Sequence, residues 1–184
     1  MARQAEPSNA FASPPRIAAI VFDRDEDVDA EVRDFVEMAL RDGVRIAGFV
    51  QERGDEDRRD VRLRDLGGGG DIAIMQDLGP GATGCRVDPG AIAVAAGRLA
   101  QALAGRPDLV IVNRFGKLEC EGGGLSAELA EAVALGLPVV VSVPLRFRET
   151  WNAFAGGLDA QLPPRRQALE DWWMRSRPAP ADAG

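Results

Sequence analysis

Two short stretches concentrate the side chains able to do chemistry in this chain. "VNRFGKLEC" (112–120) holds Asn113, Arg114, Lys117 and Cys120, and "GPGATGCR" (79–86) holds Gly81, Thr83, Gly84, Cys85 and Arg86. Arg114 and Arg86 supply planar guanidinium forks, and Lys117 supplies a point charge. The amides around Gly81 to Gly84 can form a nest, Thr83 adds a hydroxyl and Asn113 an amide. If the two stretches cap neighbouring strands, these residues converge into a pocket for an oxyanion. The alternative on the same residues is that Arg114 and Lys117 pair with Glu119, Glu121 or nearby aspartates, and that the glycines only turn the chain.

Other chemistries are excluded by composition. There is no histidine and no tyrosine, so His bases, Ser-His or Cys-His pairs, His metal ligands and phenol chemistry are ruled out. Cys85 and Cys120 form neither a CxxC pair nor a zinc set. As a functional pair they could be thiolate ligands or a redox couple, and a thiol beside arginine is activated. The simpler expectation is two partly buried free thiols. The acids Asp23, Asp25, Glu26 and Asp27 do not make a calcium loop, because Val28 stands where the sixth-position glycine is needed. They read as a solvated acidic loop opening a helix.

Stepping outward, 184 residues make one domain, expected over 16–176 between disordered tails at 1–15 and 177–184. The net charge of −7 predicts no nucleic acid and no membrane surface as partner. With no transmembrane run and no signal-like start, a cytoplasmic location is expected. Lys117 is the single lysine, which reflects an arginine-rich composition.

Continuous apolar runs at 16–22, 108–113 and 137–143 predict strands covered on both faces, and 44–52 predicts another. Helical spacing runs from Val28 to Leu40, ending at Gly43, and from Pro89 through Leu103. Helices also follow over about 125–135, "RETWNAFA" and "RRQALEDWWMRS", with a short strand near "GLDAQL". "VRLRDL" and "DIAIMQD" predict an antiparallel β-hairpin near 61–76. The fold class is α/β: a three-layer, mostly parallel sheet with helices on both faces and that hairpin as an insertion. Ligands in such sheets bind beyond the carboxyl ends of the strands, here the loops at 23–27, 77–88, 113–124 and 144–148. The clusters Trp172/Trp173 and Trp151/Phe154 are expected to pack against the sheet or a subunit, and the second could close one side of the crevice.

"VIVNRFGKLE" resembles the second nucleotide motif of the thermophilic-type nucleoside triphosphatases, a branch of the P-loop fold in which a strand ends in Asp-Glu and continues into Ile-Gly-Lys-Met-Glu. "GPGATGCRVDPGAIAVAAGRL" and "ALGLPVVVSV" resemble its neighbouring segments, over roughly 16–145. The magnesium-binding acids of that motif are Asn113 and Arg114 here. The glycine-rich phosphate loop with its lysine is replaced by "DRDEDVDAEV" after the first strand. The chain also resembles the bacterial domain of unknown function 2478, which carries the "GPGA.GCR.DPGA" and "NRFGK.E" segments and is associated with molybdenum transport. The resemblance implies a P-loop-like scaffold with both Walker motifs degenerate. The expected function is noncatalytic: an accessory protein binding an oxyanion such as molybdate or phosphate, or a phosphorylated small molecule, with no other cofactor and no metal. A nucleoside triphosphatase with an atypical phosphate loop, and a protein-interaction or regulatory module, stay open, as do homo-oligomers and protein partners.

Overall fold

Apolar residues on both sides of the central strands set the layering. In the computed structural model, residues 15–24, 26–54, 60–76 and 86–177 are described. β1 (Ile17–Phe22) sends alternate side chains to opposite faces. Ala18, Ile20 and Phe22 join one core, and Ile17 and Ala19 join the other. The first core is closed by α1 (Val28–Arg41), through Val32, Phe35, Val36 and Ala39, and by α6 (Arg166–Ser176), through Leu169, Trp172 and Trp173. The second is closed by α2 (Pro89–Ala104), α4 (Ser126–Ala134) and α5 (Arg148–Ala155), through Leu99, Leu103, Leu129 and Trp151. The result is the expected three-layer arrangement.

The remaining strands are β2 (Ile46–Arg53), β3 (Val61–Asp65), β4 (Ile72–Ala73), β5 (Leu109–Val112), β6 (Val139–Pro144) and β7 (Asp159–Leu162). A four-residue helix, α3 (Lys117–Cys120), lies between β5 and α4. The seven-stranded order is β4-β3-β2-β5-β6-β1-β7. β1, β2, β5, β6 and β7 are parallel, and β3 pairs antiparallel with both β2 and β4. The hairpin predicted near 61–76 is therefore an antiparallel extension of one edge, with a shorter second arm than its alternation suggests.

Close strand packing explains one glycine. Gly48 has φ +106°, and a Cβ there would stand 2.0 Å from the Ile111 carbonyl oxygen, so β2 reaches this distance from β5 only without a side chain. The tryptophans are core residues. Trp172 and Trp173 are buried, and Trp172 Nε1 donates to the Pro15 carbonyl at 2.9 Å. Trp151 is also buried. It packs edge-on against Phe115 with centroids 5.2 Å apart and donates from Nε1 to Asp159 at 2.8 Å. Among the described residues, no helix is long and apolar enough to cross a membrane.

Candidate functional site

At the carboxyl ends of β1, β2, β5 and β6 the exit loops diverge. The chain leaves β1 toward α1 on one face and leaves β5 and β6 toward α4 and α5 on the other. Such a divergence leaves an opening at the sheet edge. A crevice of about 690 Å³ occupies it, walled by Phe22, Val28, Pro144 and Leu145 and rimmed by ten charged side chains. That volume is within the range of roughly 300–1,000 Å³ common for small-molecule sites.

The loop entering α1 is closed on itself. Asp27 caps the helix, its Oδ1 accepting from the Ala30 amide at 3.2 Å. Glu26 Oε2 accepts from the Asp23 amide at 2.8 Å, and Asp23 Oδ1 accepts from the Arg24 amide at 2.7 Å. Side-chain carboxylates thus take amides that a phosphate-binding loop would turn toward its ligand. Of the acidic loop expected from the sequence, Asp25 lies outside the described residues, and Asp23, Glu26 and Asp27 make this self-capped turn.

The other two acids of the crevice are also committed. Glu52 pairs with Arg64 at 3.2 Å. Asp29 pairs with Arg114, whose Nη2 lies 2.8 Å from Oδ1 and 2.7 Å from Oδ2. Asn113 Nδ2 donates to the same Oδ1 at 3.1 Å, and Arg53 Nε lies 4.0 Å from Oδ2. Asn113 is buried and its orientation is fixed from behind, because its Oδ1 accepts the Ser142 hydroxyl. The Asn113–Arg114 peptide is cis. The Arg114 guanidinium carbon sits 5.0 Å above the centre of the Phe22 ring. Its buried Nε finds no acceptor among the described residues. An unmet buried donor costs about 1–3 kcal/mol.

The arginines divide differently from the acids. Arg114 and Arg53 face Asp29. Arg24, Arg33 and Arg146 line the crevice without forming an ion pair among the described residues. Arg146 lies 4.7 Å over its neighbour Phe147. Although the rim carries equal numbers of acids and arginines, among the described residues the acids are occupied and three of the cations are not. That imbalance favours an anionic guest.

The residues singled out in the sequence are only partly brought together. Arg114 lines the crevice, with Asn113 immediately behind it. Lys117 does not line it. It is exposed on α3 and lies 3.7 Å from Glu121, the pairing that the alternative reading anticipated for it. Arg86 does not line it either. Its carbonyl accepts from the Gln76 amide at 2.7 Å, and Val87 bridges to Met75 beside the β4 edge. Gly81, Thr83, Gly84 and Cys85 lie outside the described residues. Cys120 is a free, half-buried thiol. Burial pushes it above the ordinary thiol value, against the smaller opposing effect of a hydrogen bond with Thr150. Trp151 and Phe154 do not wall the crevice. Pro144, Leu145 and Arg146 take that side.

The Phe-Gly-Lys-Leu-Glu motif has a structural centre in Glu119. Its buried carboxylate accepts from the Gly116 amide at 2.8 Å through Oε2 and from the Leu125 amide at 3.0 Å through Oε1. The chain is drawn around it so closely that a Cβ on Gly124, φ +62°, would stand 2.0 Å from Oε1. Glu119 thereby holds the loop that follows β5. The sequence reading missed Arg24, Arg33, Arg53 and Arg146. The available signal was that Arg24, Arg53 and Arg146 each stand at or just beyond the carboxyl end of a parallel strand, β2 included, whereas Arg33 lies well inside α1, where no such signal points to it.

The family described as "Protein of unknown function (DUF2478)" matches residues 17–172. The "Molybdenum import ATP-binding protein ModC 2" of Bradyrhizobium diazoefficiens is 39% identical over 163 residues, which cover 87% of this chain and 18% of that protein. Among solved structures, a human cancer-related nucleoside triphosphatase superposes with TM-score 0.62 at 17% identity, covering 85% of this chain and 94% of that one. THEP1 from the hyperthermophile Aquifex aeolicus superposes with TM-score 0.60 at 20% identity, covering 84% and 95%. At these identities the two structures establish the fold, a P-loop nucleoside triphosphatase-like α/β sheet.

Proposed function

This chain belongs to the DUF2478 family, and from that premise we propose that it is a noncatalytic accessory protein that binds an oxyanion or a phosphorylated small molecule in the crevice at the carboxyl edge of its sheet. The observation that carries the reading is the division of charge in that crevice. Among the described residues, every acid lining it is engaged by a backbone amide or an arginine, while Arg24, Arg33 and Arg146 remain to receive an anion. Against catalysis of phosphoryl transfer stands the same geometry. The turn before α1 is filled by Glu26 and Asp27, and Asn113-Arg114 stands where magnesium-binding acids would be needed. The ligand itself is the small partner, with no resident cofactor.

A setting in molybdenum metabolism is supported by the name of the Bradyrhizobium relative, an import ATP-binding protein of which this chain spans 18%. Molybdate, tungstate and phosphate are therefore the first ligands to try. A thermal-shift panel of these ions and of nucleotides with and without magnesium tests the reading. We expect oxyanions to raise the melting temperature without magnesium, and ATP and GTP to be left unhydrolysed. Magnesium-dependent phosphate release above background that is lost in Arg114→Ala would overturn the noncatalytic assignment.

A further inference from the structure

We propose that Arg114, with Asn113 and Arg53 beside it, forms an oxyanion receptor that the chain's own Asp29 carboxylate fills until a diffusible anion displaces it. This rests on reading the crevice as an anion site and assigns the competing group within it.

Donors from the ends of two neighbouring strands, β2 and β5, meet on one carboxylate. Arg114 Nη2 is 2.8 and 2.7 Å from the two Asp29 oxygens, Asn113 Nδ2 is 3.1 Å from one of them, and Arg53 Nε is 4.0 Å from the other. Ser142 occupies Asn113 Oδ1, which leaves the amide nitrogen as the group turned toward the anion. This is a receptor for a small anionic group, with forked, amide and charged donors.

Asp29 fills that receptor badly. On Arg114 both of its oxygens rest on the single nitrogen Nη2, while the buried Nε of the same guanidinium meets no acceptor among the described residues. A guanidinium binds an oxyanion best through two parallel bonds from two nitrogens. The tether explains the misfit. Asp29 lies in the first turn of α1, whose start is fixed by the Asp27 cap, so its carboxylate can reach Arg114 from one direction only. A free tetrahedral oxyanion has no such tether and can span Nε and Nη2 together. Displaced, the Asp29 carboxylate moves into the crevice it already lines and stays beside a helix N-terminus, where negative charge is favoured. The ligand class is an inorganic tetrahedral oxyanion or the phosphate end of a larger molecule, which present the same oxygens to Arg114.

Isothermal titration with molybdate, inorganic phosphate and a simple phosphomonoester on wild type, Asp29→Asn, Arg114→Ala and Arg33→Ala tests this. Asp29→Asn should bind at least about tenfold tighter than wild type, the equivalent of one well-made charged hydrogen bond. Its melting temperature should also rise more steeply with added anion. Arg114→Ala should lose the binding. A phosphomonoester preferred over free phosphate marks the ligand as an organic phosphate, and no preference marks it as the inorganic ion. Should Asp29→Asn fold poorly, Asp29→Ser removes the same charge and should show the same gain. Wild-type binding that weakens in Arg33→Ala but is unchanged or weakened in both Asp29 variants overturns the displaced-carboxylate proposal and leaves the crevice reading intact. Absence of binding to wild type and to both Asp29 variants overturns the crevice reading with it.

Discussion

Two arginine–aspartate pairs lie at opposite ends of the parallel strands, one between the starts of β2 and β5 and one between the end of β5 and α1, and they are built differently. At the amino edge, Arg45 faces Asp108 fork to fork, with Nε to Oδ2 at 3.2 Å and Nη2 to Oδ1 at 2.8 Å. Nη2 also donates to the Arg106 carbonyl, Nη1 donates to that of Gly105, and the Arg45 amide donates to Asp108. At the carboxyl edge, Arg114 meets Asp29 through one nitrogen and leaves Nε unmet among the described residues, although this pair is far less exposed, 22% and 15% against 65% and 40%. The exposed pair is complete and the sheltered pair is incomplete. Stability alone would predict the reverse, since a poorly matched pair costs most where water is excluded. The incomplete pair lies in the crevice, and the complete one ties β2 to β5 away from it.

The largest effect should come from the group that holds the carboxyl edge in place. Glu119→Ala strips the Gly116 and Leu125 amides of a charged acceptor at a buried site and should cost about 2–4 kcal/mol in urea unfolding. A loss below about 1 kcal/mol would mean that the loop after β5 is held by other contacts.

Next, Arg114→Ala should cost about 2 kcal/mol, discounted from the full value for a buried pair because both groups keep some exposure. Arg45→Ala should shift the urea midpoint less, because Asp108 regains water when its partner is removed. Equal shifts would erase the contrast between the edges. The amino-edge pair also predicts a direction with pH. Arg45 holds the Asp108 carboxyl below its ordinary value of 3.8, chiefly through their side-chain hydrogen bond. Its contribution is therefore present above that value and lost as pH falls below it. Arg45→Ala should flatten this acid limb slightly, which a pH series of thermal melts would read.

The smallest effect concerns Cys120, behind the carboxyl-edge loop. Its thiol is raised above 9.0 mainly by burial, so the folded state keeps its proton where the unfolded chain gives it up. Stability from this group is present at neutral pH and lost as pH rises through the folded value. In a Cys85→Ser background, alkylation of Cys120 by iodoacetamide should be slow at pH 7 and should accelerate only above the ordinary thiol range. Fast labelling at pH 7 would point to an opened loop.

The fold was legible where burial is two-sided. "IAAIVF", "LVIV" and "VVVSV" are apolar at every position but Ser142 because helices cover both faces. The four-residue α3 was not legible. It is fixed by the Glu119 contacts with Gly116 and Leu125, which no periodicity over so short a span reveals. For the site, the local motif pointed to Asn113 and Arg114 because a strand end exposes whatever follows it. Their partner Asp29 lies 85 positions from Arg114, on the first turn of a helix whose sequence reads as ordinary acidic capping. Arg53 was missed because the loop after β2 was not counted among the carboxyl ends. Only the strand order, with β5 beside β2, places it next to Arg114.

The placement of the three tryptophans gives the molecule its own optical labels. Without tyrosine, and with phenylalanine not excited at long ultraviolet wavelengths, the emission excited there comes from Trp151, Trp172 and Trp173 alone. Trp151 sits in the core on one side of the sheet, and the other two sit in the core on the opposite side. Replacing Trp151 by phenylalanine silences one face, and replacing Trp172 and Trp173 silences the other. The two halves of the sandwich can then be followed separately by fluorescence as the protein melts.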